Sequence, residues 1–341
     1  MTDRARRLDA FLKISGWGGA HRTAMAGDAS FRRYLRLNDG RRQAVVMDAP
    51  PPHEDTRAFA TLARHLRHLG LSAPEIHAED TRNGFLILED LGDATYTRIL
   101  DGGSGQGPDE PALYALAVDV LIHLQRLAPD DTVPAGLPTD DGALIDEANL
   151  LIDWYLPAVS GRPTTGEARR SYAAAWRSTF PALHAQPRTL VLRDYHADNL
   201  MWLAGREGIA ACGLLDFQDA LAGPPAYDLM SLLQDARRDV KPELTDAMLA
   251  RYRAAFPGLD RRSFDDSYAI LAARRHAKVI GLFIRLDRRD GKPDYLIHIP
   301  RVWRLLEAAL RHPSLAPVAT WFERHVPPEA RKIPPHPGAA L

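Results

Sequence analysis

The sequence predicts an α+β protein of two lobes, a small first lobe built on an antiparallel sheet and a larger, mainly helical second lobe. Three observations carry that prediction. The chain has 341 residues, more than one compact core comfortably holds. Short strand-like runs separated by turn-rich stretches fill residues 20–88. Beyond Gly92 the apolar residues recur mostly at helical spacing.

Each element follows from local chemistry. Residues 3–15 place Leu8, Phe11 and Leu12 on one helical face. Residues 20–25, 31–37 and 43–48 are strand-like runs joined through AGDAS and NDGRR, so an antiparallel meander is expected. Prolines 50–52 lead into a helical stretch that Gly70 ends. Residues 76–77 and 85–88 read as two more strands, and Glu89, Asp90, Leu91 and Gly92 break the pattern as a tight linker. The stretch 101–109 is a Gly-rich loop; 113–127, 143–156 and 167–184 carry helical periodicity. Short strands and tight loops return over 189–216, and helices resume from Tyr227 to His312. The Pro-rich end, VPPEARKIPPHPGAAL, reads as a loose tail. The expected division is 1–92, 93–325 and 326–341.

Composition narrows the function classes. Hydrophobic residues make up 45% and charged residues 26%, ordinary for a globular protein. A net charge of -1 supplies no bulk field for nucleic acid or membrane. The single Cys212 excludes an internal disulfide or a multi-cysteine metal site, and suits a reducing compartment. The N-terminus has no apolar run of signal-peptide type, and no stretch of 18 uncharged apolar residues occurs. The expectation is a cytoplasmic monomer that acts on a small molecule.

The informative segment is TLVLRDYHADNLMWL, followed by GLLDFQDA. An apolar strand delivers Arg193 and Asp194, and Asn199 follows five residues after Asp194. A second apolar strand then delivers Asp216 and Phe217. This is the D-x-x-x-x-N then D-F spacing of protein kinases, which makes the expected fold protein-kinase-like. The chemistry needs these types. A carboxylate and an amide oxygen on adjacent strands hold Mg²⁺ against nucleotide oxygens, and a second carboxylate faces the acceptor hydroxyl and accepts its proton. One Asp or Asn after an apolar run is most often a strand-end cap; the ordered set is what points to phosphoryl transfer. Asp194, His196 and Asp198 leave a second option, a hydrolytic metal site, but no further ligand cluster accompanies them.

The chain resembles the aminoglycoside phosphotransferase/choline kinase superfamily, and within it the bacterial anomeric kinases of N-acetylmuramate and N-acetylglucosamine. The likeness rests on GDASFRRYLRL (27–37), VVMDAPPP (45–52), LILEDLGD (86–93), RDYHADNLMWL (193–203), LLDFQDALAGPPAYDL (214–229) and RLDRRDGKPDYLIHIPRVW (285–303), in order along nearly the whole chain. It implies ATP and Mg²⁺ as cofactors, Asp194 as base, and Asn199 with Asp216 on the metal. It also implies backbone contacts from Glu89 and Leu91 to the nucleotide base. Asp228 would buttress the catalytic loop, or equally serve as a carboxylate at a helix N-terminus.

Two departures matter. Leu192 stands where many relatives carry His. Met47 stands where protein kinases carry the third-strand Lys, and the helix after it has acids only at its start, Glu54 and Asp55. Both halves of the usual Lys–Glu pair are therefore missing together. The phosphates still need a cation, and Arg32 or Arg33 is the nearest candidate. Because side chains alternate along a strand, at most one should face the site. Gly27, Asp28 and Ser30 would offer backbone N–H groups in the preceding turn.

For the acceptor, RRHAK (274–278) and RLDRRDGK (285–292) lean towards an anionic or neutral molecule, though the same arginines also read as solvated helix ends, and the resemblance supplies an amino sugar. The cations of 274–292, Arg274, Lys278 and Arg285 on one helical face among them, are candidates for the lactyl carboxylate of N-acetylmuramate, with Arg285 and Arg289 preferred. His196, Gln218 and Asp219 are candidates for its hydroxyls. The resemblance implies phosphorylation at the anomeric C1 hydroxyl. The alternatives are a kinase of another small alcohol, of aminoglycoside, choline or homoserine type, or a nucleotide-binding pseudokinase.

Overall fold

A computed structural model describes residues 2–25, 32–103, 107–127, 129–139, 143–184 and 186–335. The chain is α+β and forms two compact units. One holds Met1–Val120 with Ala197–Ala220; the other holds Leu121–His196 with Leu221–Leu341.

The first unit is built on five antiparallel strands: β1 (His21–Ala24), β2 (Arg33–Asn38), β3 (Gln43–Asp48), β4 (Ile76–Asp80) and β5 (Phe85–Leu88). Their spatial order is β1-β2-β3-β5-β4, so the first three strands form the expected meander and the last two are placed out of chain order. The chain leaves β3 through the helix Thr56–His68, returns at the sheet edge as β4, and turns back so that β5 pairs with β3. β3 is thereby central, and all but its first residue are buried. Met47 lies in that strand, opposite Tyr34 and Leu86, at 1% exposure. An unpaired ammonium there would be costly, whereas a thioether packs.

Two helices cover this sheet. Asp3–Ile14 is capped by Thr2, whose hydroxyl accepts from Ala5 N at 3.3 Å, and buries Leu8, Phe11 and Leu12 as their spacing predicts. These pack with Leu37, Val46, Phe85 and Ile87 in one apolar core. Thr56–His68 is capped by Asp55 and ends at Gly70, whose φ of +82° suits a residue without a Cβ. Its Phe59 stacks on Phe217 at 4.9 Å, a contact that ties the helix to the loop carrying Asp216. A short hairpin, β7 (Leu200–Trp202) and β8 (Cys212–Leu214), completes this unit. β6 (Thr189–Val191) and β9 (Leu221–Gly223) pair in the other unit.

The second unit is helical around Arg261–Asp290, a 30-residue helix buried along most of its length. Gly281 on this helix meets the segment Ala143–Leu150 backbone to backbone. A Cβ there would lie 2.2 Å from the carbonyl of Leu150, so any side chain would force the two helices apart. The next turn, Leu151–Tyr155, is π-helical, which periodicity alone does not announce.

The Pro-rich end is not loose where it is described. The Tyr155 hydroxyl lies 2.7 Å from the Ala330 carbonyl and accepts from Lys332 N at 2.9 Å. Arg331 pairs with Glu307 at 2.7 Å and lies over the Trp303 ring, so residues up to Pro335 are strapped down by side-chain chemistry that composition hides. Among the described residues no helix is long and apolar enough to cross a membrane.

Candidate active site

The loop that begins at Arg193 is held in strain. Arg193 has φ +70°, and Asp194 N donates to Leu192 O at 2.9 Å, the strained form of a three-residue turn. Four groups hold it there. Asp228 accepts from Leu192 N at 2.7 Å and Arg193 N at 2.9 Å, so it buttresses the loop from the first turn of the helix Ala226–Leu233. Ser231 Oγ and Arg275 Nη1 both donate to Arg193 O at 3.3 Å. Glu147 pairs with the Arg193 guanidinium. Burial pushes the Asp228 carboxyl up to about 7, while the two N–H groups and Arg275 pull the other way.

Asp194 follows this turn with its side chain 36% exposed, and Arg275 Nη1 lies 3.6 Å from its Oδ1. Burial alone would raise the Asp194 carboxyl. The charges of Arg275, Lys278, His196 and Arg193 outweigh it and hold the carboxyl below the usual carboxylate range. Around it lies a cationic cluster on the long helix. Glu147 takes Lys278 at 2.8 Å and Arg274 at 3.7 Å besides Arg193. Burial would raise Glu147 too, but these three cations hold its carboxyl at about 2.

Asn199 and Asp216 flank the β7–β8 hairpin of the other unit. Leu200 pairs with Leu214, and Leu215 N donates to Asn199 O at 3.0 Å, so both residues emerge at the same hairpin end. Asp216 has φ +56°, the chain's other left-handed residue that is not glycine among those described. Its carboxylate already faces a cation: Arg32 Nη2 lies 2.9 Å from Oδ1. Gln218 Nε2 donates to the same oxygen at 3.0 Å and to Asp219 at 3.1 Å. Arg32 also approaches Glu54 at 3.7 Å and is 10% exposed. An ion pair of Arg32 with Glu54 thus stands in this unit where the sequence offers neither half of the usual Lys–Glu pair. Arg33 points elsewhere: it is 68% exposed and pairs with Asp48 at 2.8 Å.

The linker is pinned by arginines. Arg36 reaches Asp90 at 2.6 Å, Asp93 at 2.9 Å and the Gly92 carbonyl at 3.2 Å. Glu89 pairs with Arg206 and lies 3.5 Å from Arg67. The Glu89 N–H is spent on the Glu75 carbonyl at 2.8 Å, which removes half of the expected backbone offer at that position. Among the described residues none bonds to the Leu91 backbone groups.

Other candidates fall out differently. Gly27, Asp28 and Ser30 lie outside the described residues. His196 is buried and its ring bears on Asp194. Asp198 accepts from Thr97 Oγ1 at 2.5 Å. Among the described residues no group of three or more His, Cys, Asp or Glu is arranged to hold a metal. Arg285 and Arg289 lie about 15 and 21 Å beyond Arg275 along the helix axis. Arg289 is paired with Asp290 at 2.7 Å. Glu147 and Arg36 are ordinary charges in ordinary patterns, which sequence does not mark, and Glu54 stands out there only as an acid at the start of its helix. The one available signal for Arg275 was the density of arginine in 274–278.

A protein of Caulobacter vibrioides named N-acetylmuramate/N-acetylglucosamine kinase is 36% identical to this chain, over 97% of it and 99% of the relative. One of the same name from Pseudomonas aeruginosa is 40% identical, over 91% of this chain and 90% of the relative. In fold, the chain is similar to the crystal structure of choline kinase LicA from Streptococcus pneumoniae, with a TM-score of 0.63 at 13% identity over 90% of this chain and 100% of that one. With residues 21–264 also matching the sequence model described as APH, phosphotransferase enzyme family, the chain belongs to that family of phosphotransferases.

Proposed function

We propose that this chain transfers the γ-phosphoryl group of ATP to the C1 hydroxyl of N-acetylmuramate and N-acetylglucosamine, the kinase step of cell-wall recycling. The names of its relatives, N-acetylmuramate/N-acetylglucosamine kinases, support the sugars. The observation that carries the chemistry is Asp194, held ionised beside Arg275 at the head of a strained and heavily braced turn.

In this reading Asp194 orients the acceptor hydroxyl and accepts its proton. Arg275 keeps it anionic but lowers its basicity, which suits a loose transition state that asks more for positioning than for a strong base. Asn199 and Asp216 fit Mg²⁺. An amide and a carboxylate oxygen are the donors a hard cation takes, and the Asp216 carboxylate already meets a positive charge. The bound ion would neutralise charge on the phosphoryl oxygens. Residues 1–92 would serve the nucleotide, with Leu91 offering its backbone to the base, and residues 93–325 would serve the acceptor. Gln218 and Asp219 would bond sugar hydroxyls.

Incubation with ATP, Mg²⁺ and either sugar, read by product mass and phosphorus NMR, should yield an acid-labile sugar 1-phosphate. Phosphate at C6, or turnover of kanamycin or choline with neither amino sugar used, would sink this reading.

Arg32 would do the phosphate work that Lys does in protein kinases. Removing a charge-assisted contact costs about 1.5–3 kcal/mol, so Arg32→Ala should raise the nucleotide KM by about 10- to 150-fold. Arg33→Ala should change it less than about threefold, because its guanidinium is exposed and engaged by Asp48. Equal effects from both variants would move the phosphate contact to another residue.

A further inference from the structure

We propose that Lys278 is a specificity-determining residue that takes the carboxylate of an acidic acceptor sugar. The proposal rests on the sugar-kinase reading above. N-acetylmuramate is N-acetylglucosamine with a lactyl ether on O3, and that ether ends in a carboxylate. One reachable cation near the base is enough to tell the two apart.

The long helix carries several cations, and only one suits. Arg274 is sealed: its side chain is 2% exposed, and it lies over the Tyr227 ring at 5.4 Å. Arg275 is 8% exposed and committed to Asp194 and to the Arg193 carbonyl. Arg285 and Arg289 are nearly three and nearly four turns beyond Arg275. Lys278 lies one turn beyond Arg275, on the same face, about 4.5 Å along the axis. Its side chain keeps 16% exposure. An ammonium has three N–H donors, and among the described residues Glu147 is the one acceptor it reaches, at 2.8 Å.

Glu147 makes this cation available. Its carboxylate is shared among Arg193, Arg274 and Lys278. When Lys278 turns to a ligand carboxylate, Glu147 stays paired with two guanidiniums, so no buried charge is left alone. Three cations around one carboxylate also leave room, electrostatically, for a second anion. Lys suits the task better than Arg because its flexible stem lets a point charge shift between two acceptors.

The test is the ratio of kcat/KM for N-acetylmuramate to that for N-acetylglucosamine, measured on the full chain. A charge-assisted contact predicts that Lys278→Met lowers this ratio about 10- to 150-fold, while Lys278→Arg holds it within about threefold. Wild-type enzyme given the methyl ester of N-acetylmuramic acid should lose a similar factor relative to the free acid, with no substitution needed. A ratio in Lys278→Met within about threefold of wild type overturns the proposal, and so does an ester that performs as well as the acid. Wild type that phosphorylates neither sugar brings down the sugar-kinase reading itself. Wild type that phosphorylates both, with a ratio indifferent to residue 278, brings down this inference alone.

Discussion

Asp194→Asn should lower kcat by about 10²- to 10⁴-fold while leaving nucleotide affinity within about threefold, as expected for loss of a positioned base. The substitution keeps shape and removes charge. The turn that carries the residue should survive, since Asp228 and Ser231 hold the backbone of Leu192 and Arg193 rather than the Asp194 side chain. Arg275 keeps its bond to the Arg193 carbonyl at 3.3 Å. Turnover and nucleotide calorimetry on the same preparation check both halves. A variant retaining more than about a tenth of wild-type kcat would take the base role away from Asp194. The wild-type pH profile gives a second check. The surrounding cations hold this carboxyl below the usual carboxylate range, so its ionised form persists as pH falls. Loss of rate on acidification should therefore not trace to Asp194 until pH drops below the ordinary value of about 3.9.

Asp216→Ala should cost about 10²-fold or more in kcat/KM at fixed Mg²⁺, because metal stabilisation of transferring phosphate is worth several kcal/mol. Excess Mg²⁺ should restore only part of it. The substitution also removes the carboxylate that lies 2.9 Å from the Arg32 guanidinium, while Glu54 stays 3.7 Å from it. Two costs must be separated. Asp tolerates the left-handed φ of +56° better than Ala does, so some stability is lost as well. Asp216→Asn, which tolerates the same backbone, controls for that part. Titration of each protein with nucleotide, with and without Mg²⁺, reads the metal directly. An Mg²⁺ dependence equal to that of wild type would remove Asp216 from the metal site.

Much of this molecule is legible in one dimension, and the reason is locality. Leu8, Phe11 and Leu12 announce their helix because neighbours on a helical face are three and four residues apart. Gln43–Asp48 and Phe85–Leu88 were readable to the residue because a buried strand is a short apolar run bounded by turns. Asp194, Asn199 and Asp216 stand out because the hairpin that gathers the last two is itself local, with 16 residues between Asn199 and Asp216.

What needed the fold is long in sequence and carried by charge. Choosing Arg32 over Arg33 required knowing which adjacent arginine reaches Asp216, 184 residues away, and which reaches Asp48. Glu147 meets Lys278 across 131 residues, and nothing near either one marks the pair. The placing of β5 between β3 and β4 is of the same kind, since strand order depends on how a sheet closes and not on what each strand is made of. Apolar periodicity and spacing therefore determined most of the elements and singled out Asp194, Asn199 and Asp216. Tertiary structure decided which charges meet, because a Coulomb partner is selected by distance in space, and sequence does not record that distance.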